Sequence, residues 1–104
     1  MRYMFDMDNT LCTTNGTDYE NADPIEPRIT HVKELIEQGH DVAVYTARGD
    51  MHIASIPTML NLTRSQLESW GLGDIPVYHK PWADVYVDDR AYDDKSYFNT
   101  NGVL

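Results

Sequence analysis

Asp6 and Asp8 stand two residues apart at the end of a short apolar run, residues 3–6, and a second acidic pair, Asp88 and Asp89, follows another run at 85–87. Between them come Thr46 and Arg48, directly after the β-branched and aromatic stretch 42–45, and Lys80, which opens the segment leading to 85–87. In an extended chain, residues two apart point to the same side. If the chain coils just after Asp6, a side chain and a backbone carbonyl can share one cation. Four carboxylates at one edge repel each other unless a cation neutralises them or some stay protonated. Oxygen donors without clustered histidine or cysteine suit Mg²⁺ rather than zinc. A carboxylate can also attack a phosphoryl group. The charge on the transferred oxygens would then be met by the metal, Thr46, Lys80 and backbone N–H groups. Asp8 is placed to act as general acid and base. The chemistry these residues add up to is phosphoryl transfer.

That convergence requires strands ending at the right places. Residues 3–6, 42–45, 75–78 and, most strongly, 85–87 read as strands. Ile29, Val32, Leu35 and Ile36 recur at helical spacing, and Gly39 closes that helix. Residues 12–27 read as a loop, and 51–60, containing Pro57, as a loop or broken helix. Thr63 with Gln66 fits a capping box for a short helix through Leu67 and Trp70, stopped by Gly71. The tail is polar until Tyr97 and Phe98, which are expected to tuck back onto the body. The order strand, helix, strand, helix, strand, strand is that of an α/β domain with a mostly parallel sheet and helices on both faces. Its ligand site belongs beyond the carboxyl ends of the strands.

A chain of 104 residues with 41% apolar residues has room for one domain, 1–104, and a modest core. No apolar run approaches the length of a membrane helix and no leader pattern opens the chain, so a cytoplasmic protein without a membrane partner is expected. The net charge of −9 weighs against nucleic acid and anionic membranes as partners. Twelve of the seventeen acids are aspartates, the residue type a hard divalent cation requires. The single cysteine, Cys12, cannot form a disulfide within the chain and reads as a small spacer rather than a reactive thiol.

Four stretches resemble, in order, the four motifs of the haloacid dehalogenase superfamily of phosphatases. They are Asp6-Met7-Asp8-Asn9-Thr10-Leu11, Val44-Tyr45-Thr46-Ala47-Arg48, Lys80-Pro81 and Val87-Asp88-Asp89-Arg90. Further stretches, among them Tyr19-Glu20-Asn21-Ala22, Gln66-Leu67-Glu68-Ser69-Trp70-Gly71 and Lys80-Pro81-Trp82-Ala83-Asp84, are similar to very short, capless members associated with capsule or surface-polysaccharide synthesis. The resemblance implies a single Rossmannoid domain and an Mg²⁺-dependent phosphatase. In it Asp6 is the nucleophile and Asp8 the general acid/base, while Thr46 and Lys80 hold the phosphate. The metal lies on the Asp6 carboxylate, the Asp8 carbonyl and one of Asp88 and Asp89, with Asp89 favoured because related motifs align their aspartate there. Asn9 stands where glycine is commoner, and His79 precedes Lys80 where these short relatives more often have glycine. Neither connection is long enough for a cap, so the site should be open. In relatives an open site goes with large substrates or with closure by a neighbouring subunit in a homo-oligomer.

Blander roles stand beside these. Arg48 fits a surface ion pair as well as a phosphate contact, and Asp93 fits a solvated turn better than a supporting acid. His31, His40 and His52 read as surface or boundary residues, and Trp70 and Trp82 as packing residues. A signalling receiver domain would need an aspartate ending a middle strand, which is absent here. A calcium loop would need glycine where Leu11 stands. The alternative that survives is a non-catalytic or weakly catalytic metal- or phosphate-binding module serving an assembly.

Overall fold

The apolar spacing on residues 26–37 produces α1 (Glu26–Glu37), whose Ile29, Val32 and Leu35 are buried. Pro27 lies in its first turn, where a missing N–H costs nothing. The helix ends as Gly39 turns to φ +88° and His40 N–H reaches back to the Leu35 carbonyl at 3.0 Å. The computed structural model describes residues 1–103. Strands β1 (Arg2–Asp6) and β4 (Asp41–Thr46) pair in parallel, with Phe5 opposite Val44 and Asp6 opposite Tyr45. Strand β5 (Val77–His79) pairs in parallel on the other side of β4, giving the order β1-β4-β5. Within the expected loop, β2 (Cys12–Thr13) and β3 (Asp23–Pro24) form a minimal antiparallel ladder, two residues a side and too short to leave a pattern in the sequence.

The expected break around Pro57 does not occur. A 3₁₀ turn (Ile53–Ser55) runs into α2 (Ile56–Ser69), unbroken, with Pro57 in the first turn. Thr63 therefore sits mid-helix, its hydroxyl donating to the Met59 carbonyl at 2.8 Å, and the expected capping box does not form. The tail folds back as α3 (Asp94–Thr100), with Phe98 buried and stacked 6.1 Å from Phe5. Asp93 caps this helix by accepting from Ser96 N–H at 3.3 Å.

The sheet departs from expectation in two respects. Moving from β1 to β4 to β5 in one direction by right-handed crossovers puts both connecting helices on the same face. Accordingly Lys33 of α1 lies against Gly71 at the end of α2, and α3 joins that layer through Phe5 and His31. The opposite face leaves Met4 and Tyr78 42% and 45% exposed, so the helices do not cover both faces. Second, residues 85–87 do not form a strand, and Val87 is 95% exposed. Three apolar residues between Asp84 and the 88–89 pair offer little burial. Asp88 Oδ1 instead accepts from Arg90 N–H at 2.8 Å, a local bond that competes with pairing. No helix among the described residues is long and apolar enough to cross a membrane.

His31 packs edge-on against Tyr97 and Phe98, with Nε2 2.8 Å from the Tyr97 hydroxyl. Burial lowers its pKa, with Glu34 pulling weakly the other way. The unfolded chain then binds this proton before the folded one does. This part of the stability is full above about pH 6.5 and is lost as pH falls from there towards the lowered folded value. We expect the urea midpoint of the wild type to drop over that interval more than that of His31→Gln. Equal slopes would show that His31 is not held neutral.

Candidate functional site

Asp6, Thr46 and Lys80 lie at the carboxyl ends of three adjacent parallel strands, because β1 ends at Asp6, β4 at Thr46 and β5 one residue before Lys80. Lys80 N–H donates to the Thr46 carbonyl at 2.9 Å, extending the β4–β5 ladder by one bond. The Lys80 ammonium stands 3.1 Å from Asp6 Oδ1, above the Tyr45 and Tyr86 rings. Thr10 Oγ1 donates to Asp6 Oδ2 at 3.2 Å. Thr46 is buried, and its hydroxyl oxygen accepts from Arg48 N–H at 3.1 Å while its own hydrogen remains free to donate.

After Asp6 the chain coils as expected. The N–H groups of Thr10, Leu11 and Cys12 converge on the Met7 carbonyl, and Asn9 takes φ +60°, a conformation asparagine tolerates better than most residues. The coil sends Asp8 to a different cation. Arg48 Nε donates to Asp8 Oδ2 at 2.8 Å and its terminal nitrogen to Oδ1 at 2.7 Å, while Thr14 Oγ1 adds a bond to Oδ1 at 2.6 Å. The other guanidinium nitrogen donates to Thr63 Oγ1 at 3.1 Å and Gln66 Oε1 at 2.7 Å. Gln66 passes the network on to the Tyr19 carbonyl at 2.6 Å, and the Tyr19 ring lies under the guanidinium.

Arg48 is 1% exposed, so it is not a surface ion pair. It binds the Asp8 loop to α2 with all three guanidinium nitrogens engaged. Thr14, Thr63 and Gln66 were not legible as parts of this site. Only the helical spacing of Thr63 and Gln66, three apart on one face of α2, hints that they could share a partner.

The four carboxylates do not gather into one cluster of side chains among the described residues. Asp6 and Asp8 are each paired with their own cation, Lys80 and Arg48, which lowers the repulsion between these two. Asp88 and Asp89 lie in the exposed segment after residue 87. Among the described residues no three His, Cys, Asp or Glu side chains come together as a metal site. Trp70 packs against the core, whereas Trp82 is 57% exposed rather than packed. His79 bonds Asp50 at 2.9 Å.

Cys12 is fully buried beneath the coil, its thiol 3.5 Å from the Met7 carbonyl and 3.7 Å from Asp8 Oδ1. Burial pushes its pKa up, a hydrogen bond from Thr14 opposes this, and the Asp8 charge adds to the rise. We expect an aromatic disulfide reagent to modify the native thiol at least about tenfold more slowly than the urea-unfolded chain. Equal rates would show that the coil opens freely.

No family model and no curated protein matches the chain. Among solved structures it is similar to the crystal structure of a structural-genomics target from Vibrio cholerae, with a TM-score of 0.79 and 24% identity over 92% of this chain and 85% of that one. At that identity the likeness is one of fold, a small α/β domain with a three-stranded parallel sheet and helices against it.

Proposed function

We propose that the chain is a phosphohydrolase of the haloacid dehalogenase type, a single capless Rossmannoid domain acting on a small phosphomonoester with Asp6 as nucleophile. One observation supports this reading above the others. The Asp6 carboxylate and the Lys80 ammonium meet at 3.1 Å beside Thr46, where three parallel strands end. An Asp6 oxygen attacks phosphorus in line, the bond to the leaving oxygen breaks, and that oxygen takes a proton. Water then attacks the aspartyl-phosphate, releasing inorganic phosphate and restoring the carboxylate. The Lys80 ammonium offsets charge on the equatorial oxygens, and the Thr46 hydroxyl can donate to one of them.

Asp8 is the proton carrier in this reading, although both its oxygens now accept from Arg48. Oδ2 accepts only from Arg48 Nε among the described residues and keeps a second lone pair that can take a proton. Mg²⁺, where bound, would neutralise phosphoryl charge. It belongs to the reading through the family resemblance alone, and no step here depends on it. A sugar phosphate of polysaccharide synthesis comes from the same resemblance, and a cytoplasmic location from the sequence, which shows neither a membrane-length apolar run nor a leader pattern.

Hydrolysis of an aryl phosphate by the wild type and by Asp6→Asn, with and without Mg²⁺, tests the proposal. Turnover in the wild type that disappears in the variant supports it, and turnover that survives removes Asp6 as nucleophile. A second reading, a phosphate-binding module with little or no turnover, is favoured by the engagement of Asp8 with Arg48. If the wild type turns over no aryl phosphate, tight binding of a phosphate-mimicking metal fluoride would mark a competent site with a more demanding substrate, and failure to bind it would decide for the module.

A further inference from the structure

Lys80 has a long, flexible side chain, and holding its ammonium beside Asp6 requires a backbone fixed on both sides. Asp50, in the turn after β4, meets that backbone at two points. A carboxylate only accepts, so His79 Nε2 carries the hydrogen it donates to Asp50 Oδ1 at 2.9 Å. Trp82 N–H donates to Asp50 Oδ2 at 3.0 Å. The residue before Lys80 and the second residue after it are thus tied to one carboxylate, while Lys80 N–H is bonded to Thr46. His79 Nδ1 is buried with no partner among the described residues, which leaves Asp50 as the polar anchor of that ring.

The turn carrying Asp50 is itself seated against α2. Gly49 has φ +85°, and a Cβ there would come within 3.1 Å of the Ile56 Cα. Asp50 therefore has a firm base from which to hold the β5 end. Nothing in the Asp6, Thr46 and Lys80 chemistry uses Asp50 directly.

We propose that Asp50 is a positioning residue which, through His79 and Trp82, holds the backbone on either side of Lys80 and so sets the ammonium beside Asp6. Its effect on rate rests on the phosphohydrolase reading above; its effect on the Lys80 backbone does not. The test compares the whole chain with Asp50→Ala and Asp50→Asn, reading amide exchange at Lys80 and Trp82 by NMR, the melting temperature, and kcat and KM for an aryl phosphate.

In Asp50→Ala, exchange at both amides should quicken at least about tenfold while the fold still melts cooperatively. With the ammonium displaced, kcat should fall by about ten- to a hundredfold, with KM changed far less. Asp50→Asn keeps an oxygen for Trp82 N–H and should recover the protection of that amide and most of kcat. A purely structural role would move the melting temperature and leave kcat unchanged in the folded variant. Wild-type exchange at Lys80 in Asp50→Ala would overturn the proposal, as would unchanged kcat. If the wild type hydrolyses no aryl phosphate, the phosphohydrolase reading passes to the metal-fluoride test, and the exchange rates alone decide whether Asp50 holds the Lys80 backbone.

Discussion

Arg48→Met is expected to destabilise the fold by about 3 kcal/mol, the low end of the range for breaking a buried ion pair from one side. The guanidinium is shielded from water and donates to Asp8, Thr63 and Gln66, and the methionine leaves all three without it. The estimate sits at the low end because Asp8 keeps its bond from Thr14 and its side chain is 21% exposed, so water can take over part of the loss. Asp8→Ala should be worse, since it strands a buried guanidinium with two donors unsatisfied. Urea unfolding of both variants and of the double variant would measure the coupling between them. A loss below about 1 kcal/mol for Arg48→Met, a surface-pair value, would mean that the fork does not form in solution.

This bears on how any Asp8 variant is interpreted. A domain of this size has about 5–15 kcal/mol of stability in total, so a break at Asp8 removes a large share of it. Lost turnover in Asp8→Ala would then mix chemistry with unfolding. Asp8→Asn keeps one oxygen to accept from Arg48 and is the variant from which a proton-transfer role can be read.

Asp6→Asn is expected to reduce kcat by at least about a thousandfold, in line with removal of a covalent nucleophile, while leaving the fold nearly intact. The amide keeps the shape of the side chain and an oxygen for Thr10. The ion pair it gives up, with Lys80 and Asp6 side chains 15% and 32% exposed, is of the partly solvated kind worth about 1 kcal/mol or less. Loss of turnover without loss of the urea midpoint is therefore the expected pattern, the reverse of that at Arg48. Retained turnover would leave Asp6 as no more than the counter-charge of Lys80.

The two sites differ in how visible they were from the sequence, for the same reason that their expected effects differ. Asp6, Thr46 and Lys80 are each at or one residue beyond a strand end. Apolar runs at 3–6 and 42–45 mark two of those strands through β propensity, and parallel pairing brings their ends to one edge whatever the details of packing. The periodicity of Ile29, Val32 and Leu35 marks α1 in the same local way, and Gly39 and Gly71 stop their helices by a conformation that glycine adopts readily. These features depend on neighbours in sequence, and the order of elements carries them into the fold.

The fate of Arg48 depends on contacts forty residues back to Asp8 and eighteen forward to Gln66. A side chain following a strand reads the same whether it meets solvent, a phosphate or a facing helix. Only the seating of α2 beside the Asp8 coil selected the buried fork, and it turned Thr63 and Gln66 from an apparent helix start into mid-helix partners. The run at 85–87 shows the converse. Its residue types favour a strand, but it remains exposed and joins no sheet, although the outer edge of β1 is unpaired among the described residues. Residue types and their spacing thus determined β1, β4, α1 and the edge where Asp6, Thr46 and Lys80 meet, because those follow from local propensity and parallel order. The tertiary structure alone decided which cation holds which carboxylate and which stretches join the sheet, because long-range packing sets those contacts and leaves no periodic trace in the chain.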